Sequence, residues 1–73
     1  MAYQDKKFIK KFGAKVREVR KSQKLSQEEL AWDCGFELSQ IGRIERGTIN
    51  TSISHVAKIA EVLKVEPAEL FKF

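Results

Sequence analysis

His55 and Cys34 are each the only residue of their type in the 73-residue chain. Metal ligation needs about three or four such ligands converging on one point, and these two do not supply them. Cys34 falls in line with Leu30 and Ala31 on one helical stripe, which points to a buried thiol rather than a nucleophile. The acidic residues are spread over helix surfaces, and no Gly-rich loop is present to cradle a phosphate. The reactive side chains therefore give no basis for catalysis, and no cofactor, metal or small-molecule ligand is expected. A single cysteine forms no internal disulfide, which fits a reducing compartment.

The basic side chains offer a different chemistry. From Met1 to Lys24 there are nine Lys or Arg against two acids, a net of +7, and from Leu25 to Phe73 there are five against eight, a net of −3. So lopsided a field suits a polyanion partner such as DNA. A solvated basic helix face accounts for the charge equally well. No apolar run approaches the roughly 18 residues of a membrane helix. The stretch Met1–Lys11 is basic but lacks the apolar centre of a signal peptide, so a cytoplasmic location is the default expectation.

Helical spacing supplies the elements that must position these groups. Five segments are expected. In the first, about Lys6 to Ser22, Ile9, Phe12, Gly13, Val16, Val19 and Arg20 share one face, and the other is almost entirely Lys and Arg. In the second, Ser26 to Cys34, Ser26 and Glu29 form a capping box, and Gly35 stands where a left-handed residue ends a helix. The third, Leu38 to Arg46, turns Ile41 and Ile44 inward and stops at Gly47. The fourth, Ile53 to Leu63, is capped by Ser52, with Ile53, Val56, Ile59, Ala60 and Leu63 inward. A short fifth helix begins at Pro67, a residue suited to a first helical position. Only Gly35, Phe36 and Glu37 separate the second helix from the third, the tight Gly-containing turn of a helix-turn-helix unit. An ordinary helical hairpin also fits that spacing. Arg20 and Glu45 each lie on an otherwise apolar face, where a lone charge is costly and pairing is the usual resolution.

The run Leu25-Ser26-Gln27-Glu28-Glu29-Leu30-Ala31, followed by Gly35, Ile41 and Ile44-Glu45-Arg46-Gly47, closely resembles the phage-repressor and Cro-type (XRE-like) helix-turn-helix family. The resemblance covers roughly Phe12 to Phe71, and the short tail is similar to stand-alone members such as restriction–modification controller proteins. It implies an all-α, compact five-helix bundle of the lambda-repressor-like type. Residues 1–11 would be an N-terminal extension and the start of the first helix, and 12–73 the DNA-binding domain. It further implies a transcriptional regulator whose third helix enters the major groove of double-stranded DNA.

On the matching positions, Leu38, Ser39, Gln40 and Arg43 become the base readers. The planar fork of Arg43 suits guanine, Gln40 or Ser39 reads adenine or meets a phosphate, and Leu38 is limited to a thymine methyl. Glu37 stands where Ser or Thr often caps this helix. Gln27, at the start of the second helix, sits among free backbone N–H groups that can hold a phosphate. Arg46, Thr48 and Asn50 resemble a second backbone-gripping loop, and Arg17 and Lys24 are expected near the phosphates because the end of the first helix approaches the start of the second. In the family Arg20 and Glu45 form an internal bridge, a structural role apart from DNA contact. A homodimer reading two half-sites is expected, with Ile49, Val62, Phe71 and Phe73 as interface candidates; the alternative is that Phe71 completes the monomer core and Phe73 frays. Trp32 lies outside its apolar stripe, either packed on Phe8 or forming a patch for another protein. The competing reading is an antitoxin-like interaction module that also binds DNA. The short flanks around the matched region argue against it, because antitoxins usually add a partner-binding segment.

Overall fold

The computed structural model describes residues 3–73. They form four α-helices, α1 (Lys6–Ser22), α2 (Gln27–Cys34), α3 (Leu38–Arg46) and α4 (Ile53–Leu63), and then a 3-10 turn at Pro67–Phe71. No strand occurs among the described residues. Each α-helix ends where its local chemistry allows. Asp5 caps α1 by accepting from Phe8 N at 3.0 Å. In the capping box of α2, Ser26 Oγ accepts from Glu29 N while Ser26 N donates to Glu29 Oε1. Ser52 caps α4 by accepting from His55 N. Gly35 and Gly47 close α2 and α3 in the left-handed region, at φ 74° and 71°, where a side chain would be strained.

The expected fifth helix is a 3-10 turn instead. Five residues give too few bonds to offset helix nucleation, and Glu66 offers no side-chain cap. The segment tightens to a three-residue pattern, with Glu69 N donating to Glu66 O at 2.9 Å. Leu70 still inserts fully into the core beside Val16, Leu30, Ile41, Ile44, Ile59 and Leu63.

These apolar side chains hold α3 between α1 and α2. The α1–α3 contact runs through Gly13, where an added Cβ would collide with the Ile44 carbonyl and lie 2.8 Å from that of Glu45. Backbone cannot give way as a flexible side chain does. Gly13→Ala is therefore expected to cost a net of about 1–2 kcal/mol, an overpacking penalty partly offset by better helix propensity. A urea midpoint at or above that of the unsubstituted protein would show that α3 can shift freely.

One inward assignment fails. Ile53 shares a helical face with Ala60, yet it is 88% exposed. The stripe continues along α4, but among the described residues no other element covers Ile53. Near the termini, Phe8 stacks on Phe71 at 5.9 Å and meets Phe73 edge-on at 5.3 Å, and Phe12 stacks on Phe71 at 5.1 Å. α1 thus runs unbroken across residues 11 and 12 and brings Phe8 onto the C-terminal segment. Among the described residues, no helix is long and apolar enough to cross a membrane.

Candidate nucleic-acid interface

The turn between α2 and α3 is built by local bonds. Phe36 N donates to Ala31 O at 2.9 Å, and the Phe36 ring packs on His55 of α4 with centroids 4.7 Å apart. This anchors the start of α3 to the body. Along α3, Ile41, Ile44 and Glu45 are buried, which forces the remaining positions outward. Ser39, Gln40 and Arg43 line one open, polar depression together with Glu37 and Ile49. Among the described residues Arg43 makes no ion pair. Leu38, at the head of the helix, is 46% exposed. Glu37 provides no side-chain cap there.

Behind this surface lies a buried polar network. Arg20 Nε donates to Glu45 Oε2 at 2.6 Å, and Arg20 Nη2 donates to Glu45 Oε1 at 3.0 Å. Arg20 Nη1 donates to the Leu25 carbonyl at 2.7 Å. Both charged residues are only 7% exposed. The bidentate pair joins α1 to α3, and the third bond reaches the segment leading into α2. The hydrogen bond to Glu45 and the nearby carboxylate raise the Arg20 pKa, and burial works against them. Gln27, half-buried at the first position of α2, donates its side-chain Nε2 to Glu45 Oε1 at 2.9 Å. No periodicity in the sequence links Gln27 to Glu45, because they sit on different helices.

The other candidate backbone contacts are spread around α3. Arg46, Thr48 and Asn50 are exposed at and beyond its C-terminal end. The backbone N and Oγ1 of Thr48 both donate to the Arg43 carbonyl, at 3.0 and 3.2 Å, which orders the first step of the loop. Arg17 and Lys24 are exposed on and just after α1, and Lys24 takes a left-handed backbone at φ 60°. No group of three metal-ligating side chains comes together among the described residues.

Comparison with known proteins places this geometry. The helix-turn-helix family HTH_3 matches residues 16–70, from within α1 to the 3-10 turn. The chain belongs to the HTH_3 helix-turn-helix family. Among its relatives, control protein C.BamHI of Bacillus amyloliquefaciens is 44% identical over 63 residues, covering 85% of this chain and 78% of the relative. The solved restriction–modification controller protein C.AhdI of Aeromonas hydrophila superposes with a TM-score of 0.85 at 44% identity, covering 86% of this chain and 96% of that one. The DNA-binding domain of BldD superposes with a TM-score of 0.85 at 26% identity, covering 93% of this chain and 99% of that one.

The HTH_3 chain carries a second, apolar surface that meets the polar depression at Ile49. A groove of about 150 Å³ is lined by Phe8, Phe12, Ile49, Ile53, Val56 and Phe71, among others. Of the four interface candidates, the structure brings Ile49 and Phe71 together here. Val62 is half-buried against the core, and Phe73 sits beside Phe8 instead. Ile53, which periodicity assigned inward, is the most prominent member of this surface. Trp32 stands 86% exposed beside Glu28, Glu29 and Asp33 rather than packed on Phe8.

In the HTH_3 core, burial pushes the Cys34 thiol from its ordinary 9.0 up to about 11; Asp33 and Glu61 add to the rise and Lys58 opposes it. The folded state therefore holds this proton more tightly than the unfolded chain does. Its contribution to stability is complete below about pH 9 and is lost as pH rises toward 11. Alkylation of the native protein at pH 8 should be slow and should accelerate on denaturation. Equal rates in both states would place the thiol at the surface.

Proposed function

We infer that this HTH_3 chain is a sequence-specific, double-stranded-DNA-binding transcriptional regulator. α3 enters the major groove with Ser39, Gln40 and Arg43 against base edges and Leu38 beside a thymine methyl. The start of α2, with Gln27, grips the phosphate backbone on one side of the groove. Arg46, Thr48 and Asn50 grip it on the other, and Arg17 and Lys24, on and just after α1, add cations on the Gln27 side. The observation that carries this reading is the division of α3. Ile41 and Ile44 are locked into the core and Glu45 is buried against Arg20, while Ser39, Gln40 and Arg43 face outward together, and Arg43 makes no ion pair among the described residues. Likeness to C.BamHI and C.AhdI supports a controller role of the restriction–modification type.

The regulator works as a homodimer. One domain covers little DNA, and two copies can address half-sites about 34 Å apart. The exposed Ile53 and the apolar groove beside it support an isologous interface on α4 and the 3-10 turn. Selection from a random duplex pool should yield an inverted repeat whose binding falls steeply with salt. The absence of any motif, together with salt-independent binding, would remove the regulator reading. Ile53→Lys leaves the monomer core untouched, so sedimentation should show the dimer shifting to monomer. A variant as dimeric as the parent would move the interface elsewhere.

A further inference from the structure

We propose that Glu45 is a positioning residue for DNA binding, which sets the Gln27 amide at the phosphate-gripping end of α2 in register with the recognition helix. The proposal rests on the reading of Gln27 as a phosphate contact and assigns a second task to a carboxylate that otherwise only neutralises Arg20.

The geometry is specific. Glu45 Oε1 accepts from two donors at once, Arg20 Nη2 at 3.0 Å and Gln27 Nε2 at 2.9 Å. Its other oxygen is taken by Arg20 Nε. An amide nitrogen carries two hydrogens. One is held by Glu45, so the planar group cannot rotate freely and the second hydrogen keeps a fixed direction. The capping box occupies the backbone N–H groups of Ser26 and Glu29. Those of Gln27 and Glu28 meet no acceptor among the described residues. A phosphate oxygen at this helix end would meet the second Gln27 hydrogen together with these free N–H groups. Arg20 cancels the charge that Glu45 would otherwise direct at the phosphate. Because Glu45 belongs to α3 and Gln27 to α2, the shared oxygen ties the phosphate grip to the base-reading helix.

A buried ion pair is a weak device for stability alone, since apolar side chains of similar volume often replace it without loss. That allows fold and positioning to be separated. Arg20→Met/Glu45→Leu should fold and melt much like the parent while leaving Gln27 without its acceptor. Operator duplexes are then made with one phosphate at a time replaced by neutral methylphosphonate. The parent protein should lose about tenfold or more in affinity at the phosphate that Gln27 meets, the scale of a hydrogen bond to a charged group. Gln27→Ala should lose the side-chain share of that sensitivity, keeping only the share of the backbone N–H groups, and so identify the phosphate. The double variant should show the same reduced sensitivity at that phosphate and keep its full sensitivity at those near Arg46, Thr48 and Asn50. Each comparison is a ratio within one protein, so the fraction folded cancels. Full sensitivity of the double variant at the Gln27 phosphate overturns the positioning role and leaves the contact intact. An unchanged profile in Gln27→Ala overturns the contact and the proposal with it. The parent protein supplies an independent check by NMR. Of the two Gln27 Nε2 protons, one should exchange slowly in the free protein, and only the other should shift on operator binding. Two equivalent protons overturn the proposal.

Discussion

Glu45→Ala is expected to cost about 3–5 kcal/mol of folding free energy, the scale measured when one member of a buried ion pair is removed. The loss does not come from the pair's own attraction. Arg20 remains only 7% exposed, and the donors that met Glu45 through Nε and Nη2 lose their acceptors. The guanidinium does not shed its charge at any ordinary pH. Water must enter between α1 and α3, or α3 must lift away, and Gly13 leaves the two backbones too close for a small adjustment. Domains of this size have about 5–15 kcal/mol in total, so the variant should be partly unfolded at physiological temperature. The urea midpoint should fall sharply with little change in slope. A loss below about 1 kcal/mol, the range of surface pairs, would mean that water already reaches the site.

Arg43→Ala is expected to act on recognition and to leave the fold intact. The side chain is exposed on α3 and contributes nothing to the core, so the melting temperature should stay put. Binding to the selected operator should weaken by about 1–3 kcal/mol, roughly five- to more than a hundredfold, if its fork meets the two acceptors of a guanine. The loss should be confined to one base pair in each half-site, where the variant accepts other bases nearly equally. Non-specific affinity should barely change. Uniform weakening on every sequence, with the salt slope reduced by about one, would make Arg43 a phosphate contact instead.

Helix placement was legible because it depends on neighbours in the chain. Ser26 and Glu29, Gly35, Gly47 and Ser52 mark boundaries through bonds that span three or four residues, and a sequence displays such distances directly. The pairing of Arg20 with Glu45 was legible for another reason: two charges on apolar faces must find each other or stay out of the core. The fifth element was placed correctly but given the wrong helical type, since five residues leave the choice between α and 3-10 to packing around Leu70.

What the sequence determined by itself is therefore the set of helices, the turn between α2 and α3, and which face of each helix is apolar. What only the tertiary structure decided is which apolar faces find a cover and which polar groups share a partner. Ile53 has the right phase for burial, but burial requires another element above it, and among the described residues Ile53 has none. Phe8 and Phe71 are far apart in sequence and meet only because α1 and the 3-10 turn close on the same core. Gln27 and Glu45 meet because the α2–α3 turn folds two helices into contact. The recognition helix is thus a local property of Leu38–Arg46, whereas its coupling to the start of α2 exists only once the helices pack.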